Sequence, residues 1–184
     1  MLGLIGFRPP KRSAGITLLE LMVVVVVLVV LATMAVPALQ NTIKNNRITA
    51  QTNELITLIN LARNEAIRRN VDGVSLRSVL SLEINGDVWT ANVDVTGGEP
   101  GEGCPAGVIR CASHGNVVLS GAEEFSFNNR GYMIEAGETW APRSICLKHT
   151  SCSDPLQHRE VRVLPSGQVE SIRLGCDDTC PSGD

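Results

Sequence analysis

The sequence predicts an α+β protein: a long N-terminal helix, with a transmembrane first half, packed on an antiparallel β-sheet C-terminal domain. Three observations carry that expectation. Residues Ile16–Val36 form a run of 21 residues holding one charge, Glu20. Apolar residues then recur at three- and four-residue steps as far as Arg68. Beyond Gly73 the helical period disappears, and short β-branched runs alternate with Gly, Pro and Asn turns.

Taken in order, residues 1–15 carry Arg8, Lys11 and Arg12 and no acid. They read as a removable leader whose cations hold this side in the cytoplasm. Pro9-Pro10 disfavours an earlier helix start. Residues 16–36 match a hydrocarbon core about 30 Å thick at 1.5 Å per residue. Five consecutive valines, Val23–Val27, leave the run no polar side to meet water. The run is also longer than the roughly 7–15 apolar residues of a secretory signal. It reads as a membrane span, in which a carboxylate costs about 2.5–3.5 kcal/mol if placed deeply. Glu20 therefore marks function.

Residues 37–70 form the amphipathic second half of the helix. Pro37 removes a backbone donor, so a kink or local melting is expected at Thr33–Val36. Ile48, Gln51, Leu55, Leu58, Ile59, Ala62 and Ala66 make one buried stripe. The helix is expected to end at Arg68–Asn70, with Asp72-Gly73 as the turn.

Residues 71–184 read as a β-rich domain. Strands are expected at Val74–Leu76, Val79–Ile84, Val88–Val95, Val117–Leu119, Phe125–Phe127, Ser144–Leu147, Val161–Leu164 and Val169–Leu174. Asn85-Gly86-Asp87 signals a short hairpin, and Pro165-Ser166-Gly167 the turn joining the last two strands. Thr96–Gly103 and Cys176–Asp184 are loop-like.

Charge and cysteine content narrow the function classes. Without residues 1–15 the chain keeps 13 basic against 19 acidic side chains, a poor match for phosphate neutralisation. The six cysteines, Cys104, Cys111, Cys146, Cys152, Cys176 and Cys180, follow a membrane signal, which points to an oxidising compartment and disulfides. Their sequence neighbours suggest three local loops, 104 with 111, 146 with 152, and 176 with 180, among about fifteen possible pairings. Zinc binding with His114 or His149 competes poorly, because the spacings match no closed site. Asp177 and Asp178 fall short of a calcium shell. His114, His149 and His158 read as lone surface histidines in loop-like contexts, without a nucleophile motif, and no phosphate-binding loop or zinc-protease motif occurs. No enzyme activity, cofactor or metal is expected.

Gly15 followed by Ile16-Thr17-Leu18-Leu19-Glu20-Leu21-Met22-Val23-Val24-Val25 closely resembles the class III signal of type IV pilins and type II secretion pseudopilins. Glycine before the cut, glutamate at the fifth mature position and proline at the twenty-second correspond to Gly15, Glu20 and Pro37; Ile16 stands where the family usually has Phe. Asn45–Leu55, Ala62–Arg69, Trp89–Val95, Asn129-Arg130-Gly131, Ile145-Cys146-Leu147 and Val163-Leu164-Pro165-Ser166-Gly167 are similar to the GspH/FimT/FimU group of minor subunits. The resemblance implies a minor pilin or pseudopilin, built in near the tip of a filament assembled from the inner membrane. It implies cleavage between Gly15 and Ile16, N-methylation of Ile16, and an assembly contact between Glu20 and a neighbour's amino terminus. The implied partners are other minor and major pilins or pseudopilins, the prepilin peptidase and the inner-membrane assembly platform. The implied location is a single-pass inner-membrane protein with its C-terminal domain in the periplasm, later in the filament. Some members of the group bind DNA through a basic segment after the Pro-Ser-Gly turn. Here Gln168 and Glu170 occupy that segment, leaving Arg159, Arg162 and Arg173 as phosphate-contact candidates.

Overall fold

The computed structural model describes residues 15–70, 78–95, 97–134 and 141–181. The basic residues of the expected leader, the Asp72-Gly73 turn and the Val74–Leu76 strand lie outside the described residues. The chain divides into two compact units, the first ending at Gln40 and the second running from Asn41 to Asp184.

Helix α1 spans Leu18–Arg68, 51 residues, and continues through Pro37 without the expected local melting. Thr33, whose carbonyl would have received the missing Pro37 donor, turns its hydroxyl onto the Val30 carbonyl at 2.7 Å. At the other end Arg69 N–H donates to Glu65 O and Asn70 N–H to Ile67 O. Asn70 then adopts a left-handed φ of 49°. An asparagine just past the last turn is a common helix stop.

In the first unit the apolar side chains from Leu18 to Leu39 are exposed on all sides of the helix. In the second unit α1 buries Ile48, Gln51, Thr52, Leu55, Leu58, Ile59, Ala62 and Ala66, the stripe expected from the spacing with Thr52 added. A fully buried Leu or Ile contributes about 1.5–3 kcal/mol by leaving water. That term, rather than helix propensity, holds this half in place.

The stripe packs on two antiparallel sheets. The first has strand order β3-β2-β1-β5-β6, with β1 Ser78–Asn85, β2 Val88–Val95, β3 Val108–Gly115, β5 Glu124–Phe127 and β6 Met133–Ile134. The second has the order β4-β7-β8-β9, with β4 Val117–Gly121, β7 Arg143–His149, β8 His158–Val163 and β9 Val169–Arg173. The β1–β2 hairpin turns at Gly86-Asp87, where Gly86 has φ +66°. The chain leaves the first sheet for the second at one residue, Asn116, with φ +64°. Leu80, Leu82, Trp89, Ala91, Val93, Phe125 and Phe127 from one sheet join Val117, Leu119, Ile145, Leu147, Val161 and Val163 from the other in a single core with the helix.

Two strands escape the sequence reading. β3 holds Arg110, Cys111, Ala112, Ser113 and His114, which neither alternate nor favour strand, and an edge position demands little of them. β6 has two residues. β7 departs from strict alternation for a different reason. Ile145 and Leu147 face the helix, whereas Ser144 and Cys146 are buried on the opposite face.

Candidate functional site

Three places carry the residues singled out by the sequence. The first is the start of α1. Thr17 Oγ1 accepts the Glu20 backbone N–H at 3.2 Å, and Thr17 O accepts Leu21 N–H at 3.2 Å, so Thr17 is the N-cap. The stretch Thr17-Leu18-Leu19-Glu20 is a Thr-x-x-Glu capping signature before an apolar run, a helix-start signal legible in the sequence itself. Glu20 lies in the first turn, where the helix dipole favours a carboxylate. That carboxylate is exposed and has no partner among the described residues. A Cβ added at Gly15 would meet nothing within 4 Å, and its φ lies outside the left-handed region. Among the described residues, neither space nor backbone conformation requires glycine there.

The second place is a junction at which three separated sequence motifs meet. Arg63 on α1 donates through Nε to Gly131 O at 3.0 Å and through Nη2 to Ser166 O at 3.1 Å. Gly131 lies between β5 and β6, and Ser166 in the β8–β9 turn, so one guanidinium ties the helix to both sheets. Met133 N–H donates to Pro165 O at 3.0 Å beside it. Both glycines have left-handed φ, +76° at Gly131 and +77° at Gly167. A Cβ at Gly167 would stand 2.1 Å from Gly131 O and 2.7 Å from Arg63 Nε. Two residues on, Glu65 binds Arg68 at 2.7 Å and Arg69 at 2.9 Å. Arg68 first, and then Arg69, hold its carboxyl below the usual range against the opposing effect of burial. Arg69 also donates to Gly97 O at 3.0 Å, so the helix end is anchored beside the first sheet.

Nearer the other end of the helix, Gln51 accepts from Trp89 Nε1 at 2.9 Å and donates to Gly115 O at 3.1 Å. Glu54 meets His114 Nε2 at 2.7 Å, and the His114 ring tilts against Trp89 at 5.1 Å. These polar contacts, of which the Trp89–Gln51 bond is buried, set the height of the helix over the first sheet, where apolar packing alone would permit sliding.

The third place is the outer face of the second sheet. All six cysteines are bonded, as 104–111, 146–180 and 152–176. The first pair agrees with the local expectation; the other two replace 146–152 and 176–180. The reason is strand geometry. Cys146 lies inside β7, which carries the chain about 10 Å further before it turns, beyond the roughly 7 Å reach of a disulfide. Cys176 and Cys180 instead clamp the C-terminal segment across the sheet. Leu174 N–H donates to His158 O at 3.1 Å, His158 Nδ1 contacts Gly175 O at 2.7 Å, and Lys148 Nζ donates to Cys176 O. Cys180 Sγ lies 3.4 Å from Ser120 O.

That arrangement also corrects the histidine reading. His149 and His158 are buried in strands, and His114 belongs to β3. Burial first, then Lys44 and Arg47, push the His149 imidazole below its ordinary value. Asp178 accepts from Gly175 N–H, which closes the tail turn. No metal-ligating cluster occurs among the described residues.

The three arginines considered for DNA do not form one surface. Arg162 faces outward and binds Glu160 at 2.9 Å; Glu160, 1% exposed, also receives Ser144 Oγ at 2.7 Å. Arg159 faces the helix, where Nη2 donates to Thr49 Oγ1 at 3.1 Å. Arg173 lies opposite Arg159 in the β8–β9 register.

Comparison with known proteins places this architecture. Residues 10–36 match the prokaryotic N-terminal methylation motif, and residues 51–167 match the type II transport protein GspH family model. No curated protein gives a significant sequence match. Among solved structures, two crystal forms of the Pseudomonas aeruginosa type IV minor pilin FimU are similar. One has 15% identity over 73% of this chain and 98% of that one, with a TM-score of 0.48. The other has 16% identity over 75% and 95%, with a TM-score of 0.47. The chain belongs to the type II transport protein GspH family, with a prepilin-type methylation motif at its N-terminus and a GspH domain over most of the remainder.

Proposed function

We propose that this protein works as a minor pilin or pseudopilin, a structural subunit of a type IV filament system positioned near the filament tip. The observation that carries the reading is the union in one chain of a prepilin-type N-terminus and a GspH domain. Residues 16–36 hold the subunit in the inner membrane with the second unit in the periplasm, and the same apolar surface later packs against other subunits. The prepilin peptidase cuts between Gly15 and Ile16, where glycine serves the enzyme rather than the fold, and Ile16 is then N-methylated. Glu20 is left to meet the freed amino group of a neighbouring subunit. A buried pair of this kind sets register more than it adds affinity. The assembly platform and the other pilins or pseudopilins are the partners.

The test is recovery of the tagged chain in sheared filaments, together with the mass of its N-terminus. The expected result is a methylated Ile16 terminus and filament incorporation that Glu20→Ala impairs without affecting leader removal. An intact Met1 terminus in cells, or normal incorporation of the alanine variant, overturns the respective step. Deletion scored for twitching and for exoprotein release assigns the machine.

A further inference from the structure

The second unit carries a cationic cluster at the end from which the chain runs back to the apolar segment. β7 ends at His149, β8 begins at His158 and β9 ends at Arg173, so antiparallel pairing brings these three strand ends to one edge. Thr49 of α1 crosses there, bound by Arg159. One turn earlier Lys44 Nζ donates to Ser151 O at 3.1 Å. Arg47 is exposed on the same stretch of helix, and Arg173 is exposed across the strand pair from Arg159.

These cations lack the acids that a fold-stabilising network would supply. Lys44 is held by a carbonyl and Arg159 by a hydroxyl, while Arg159 Nε is buried without a partner. No carboxylate lies within salt-bridge distance of Lys44, Arg47, Arg159 or Arg173 among the described residues, and residues 41–53 contain no acid. Like charges facing each other across strands, as Arg159 and Arg173 do, are destabilising. The cations do act on one another: burial and then Arg173 lower the pKa of Arg159, and Lys44 and Arg47 act on His149. Such a cluster on a chain with a net negative charge is accounted for by an anionic surface outside the chain.

We propose that Lys44, Arg47, Arg159 and Arg173 form a cationic collar that docks on the headgroups of anionic phospholipids while the subunit waits in the membrane. The inference rests on the membrane-anchored reading above. Chain position selects lipid over nucleic acid. Only seven residues, 37–43, separate Val36 at the end of the apolar run from Lys44 in the chain. A polybasic segment that close to a span lies within about a Debye length of the headgroups. The collar would hold the unit against the bilayer until the subunit is extracted.

The test uses the full mature chain in nanodiscs of phosphatidylcholine alone or with phosphatidylglycerol. Amine and guanidine footprinting by mass spectrometry reads the collar directly. Arg110 in β3 and Arg130 between β5 and β6 serve as controls away from the collar residues. The expected result is severalfold slower modification of Lys44, Arg47 and Arg173 in the anionic discs, with unchanged controls and recovery at high salt. Each charge removed, in Arg47→Gln and Arg173→Gln, is expected to lower the docked population about fivefold. Both side chains are exposed and leave the fold intact. A chain that inserts but shows equal rates in both discs overturns the collar alone. A chain that enters neither disc overturns the anchored reading and the collar with it. Stronger protection of the same residues by DNA than by anionic discs overturns the lipid assignment.

Discussion

Replacing Gly167 by alanine tests whether the junction around Arg63 holds helix and sheets together. The perturbation has two parts. At φ +77° an L-residue is strained by about 1–2 kcal/mol. The added Cβ also falls 2.1 Å from the Gly131 carbonyl oxygen and 2.7 Å from Arg63 Nε. The carbonyl is main chain and cannot move aside alone, so relief means breaking the Arg63 bond to Gly131. A hydrogen bond to a charged group is worth about 1.5–3 kcal/mol. The expected loss is therefore about 3–5 kcal/mol, a large share of the roughly 5–15 kcal/mol stability of a domain. Gly86→Ala is the control, since Gly86 has φ +66° but open space around its Cβ position, and it should cost only the backbone part. Urea unfolding of residues 41–184, followed by tryptophan fluorescence, measures both. A difference between the two variants below about 1 kcal/mol, at unchanged m-value, would refute the reasoning.

Three further outcomes are expected from the same assay. Arg63→Lys supplies one point charge where a planar fork serves two carbonyls, and should cost about 1–3 kcal/mol, whereas Arg130→Lys on the exposed neighbour should cost almost nothing. Removing the Cys146–Cys180 bridge as a double alanine variant, with the Cys152–Cys176 bridge nested inside it intact, reopens a loop of only about ten residues and should cost about 3 kcal/mol on the chain-entropy estimate, with new proteolysis in residues 174–181. Because the His149 pKa is lowered on folding, the unfolded chain binds more protons below its ordinary value of 6.5. Stability is thus complete above about pH 6.5 and falls as pH drops from there toward the lowered folded value. His149→Asn, which keeps an acceptor for Ser151 N–H, should flatten that slope.

The amino-acid order by itself determined the features that depend on local pattern. The apolar run, the stripe from Ile48 to Ala66 and the strands with regular alternation all follow from period and solvent, and each lies close to its expected place. Gly15, Ile16 and Glu20 stand out in the sequence through the resemblance of their stretch to a class III signal, and residues 10–36 match the N-terminal methylation motif. β3 was not legible, because an edge strand can be built from residues with little strand preference when a disulfide and one neighbouring strand hold it. Tertiary structure alone decided the long-range pairings. The disulfides 146–180 and 152–176 depend on strand register and on a tail laid across the outer face, quantities that spacing along the chain does not encode. The meeting of Arg63, Gly131 and Gly167, and the gathering of Lys44, Arg47, Arg159 and Arg173 at one edge, have the same origin. Distances through space arise only once the chain has folded, and those distances turn scattered residues into a junction and a charged collar.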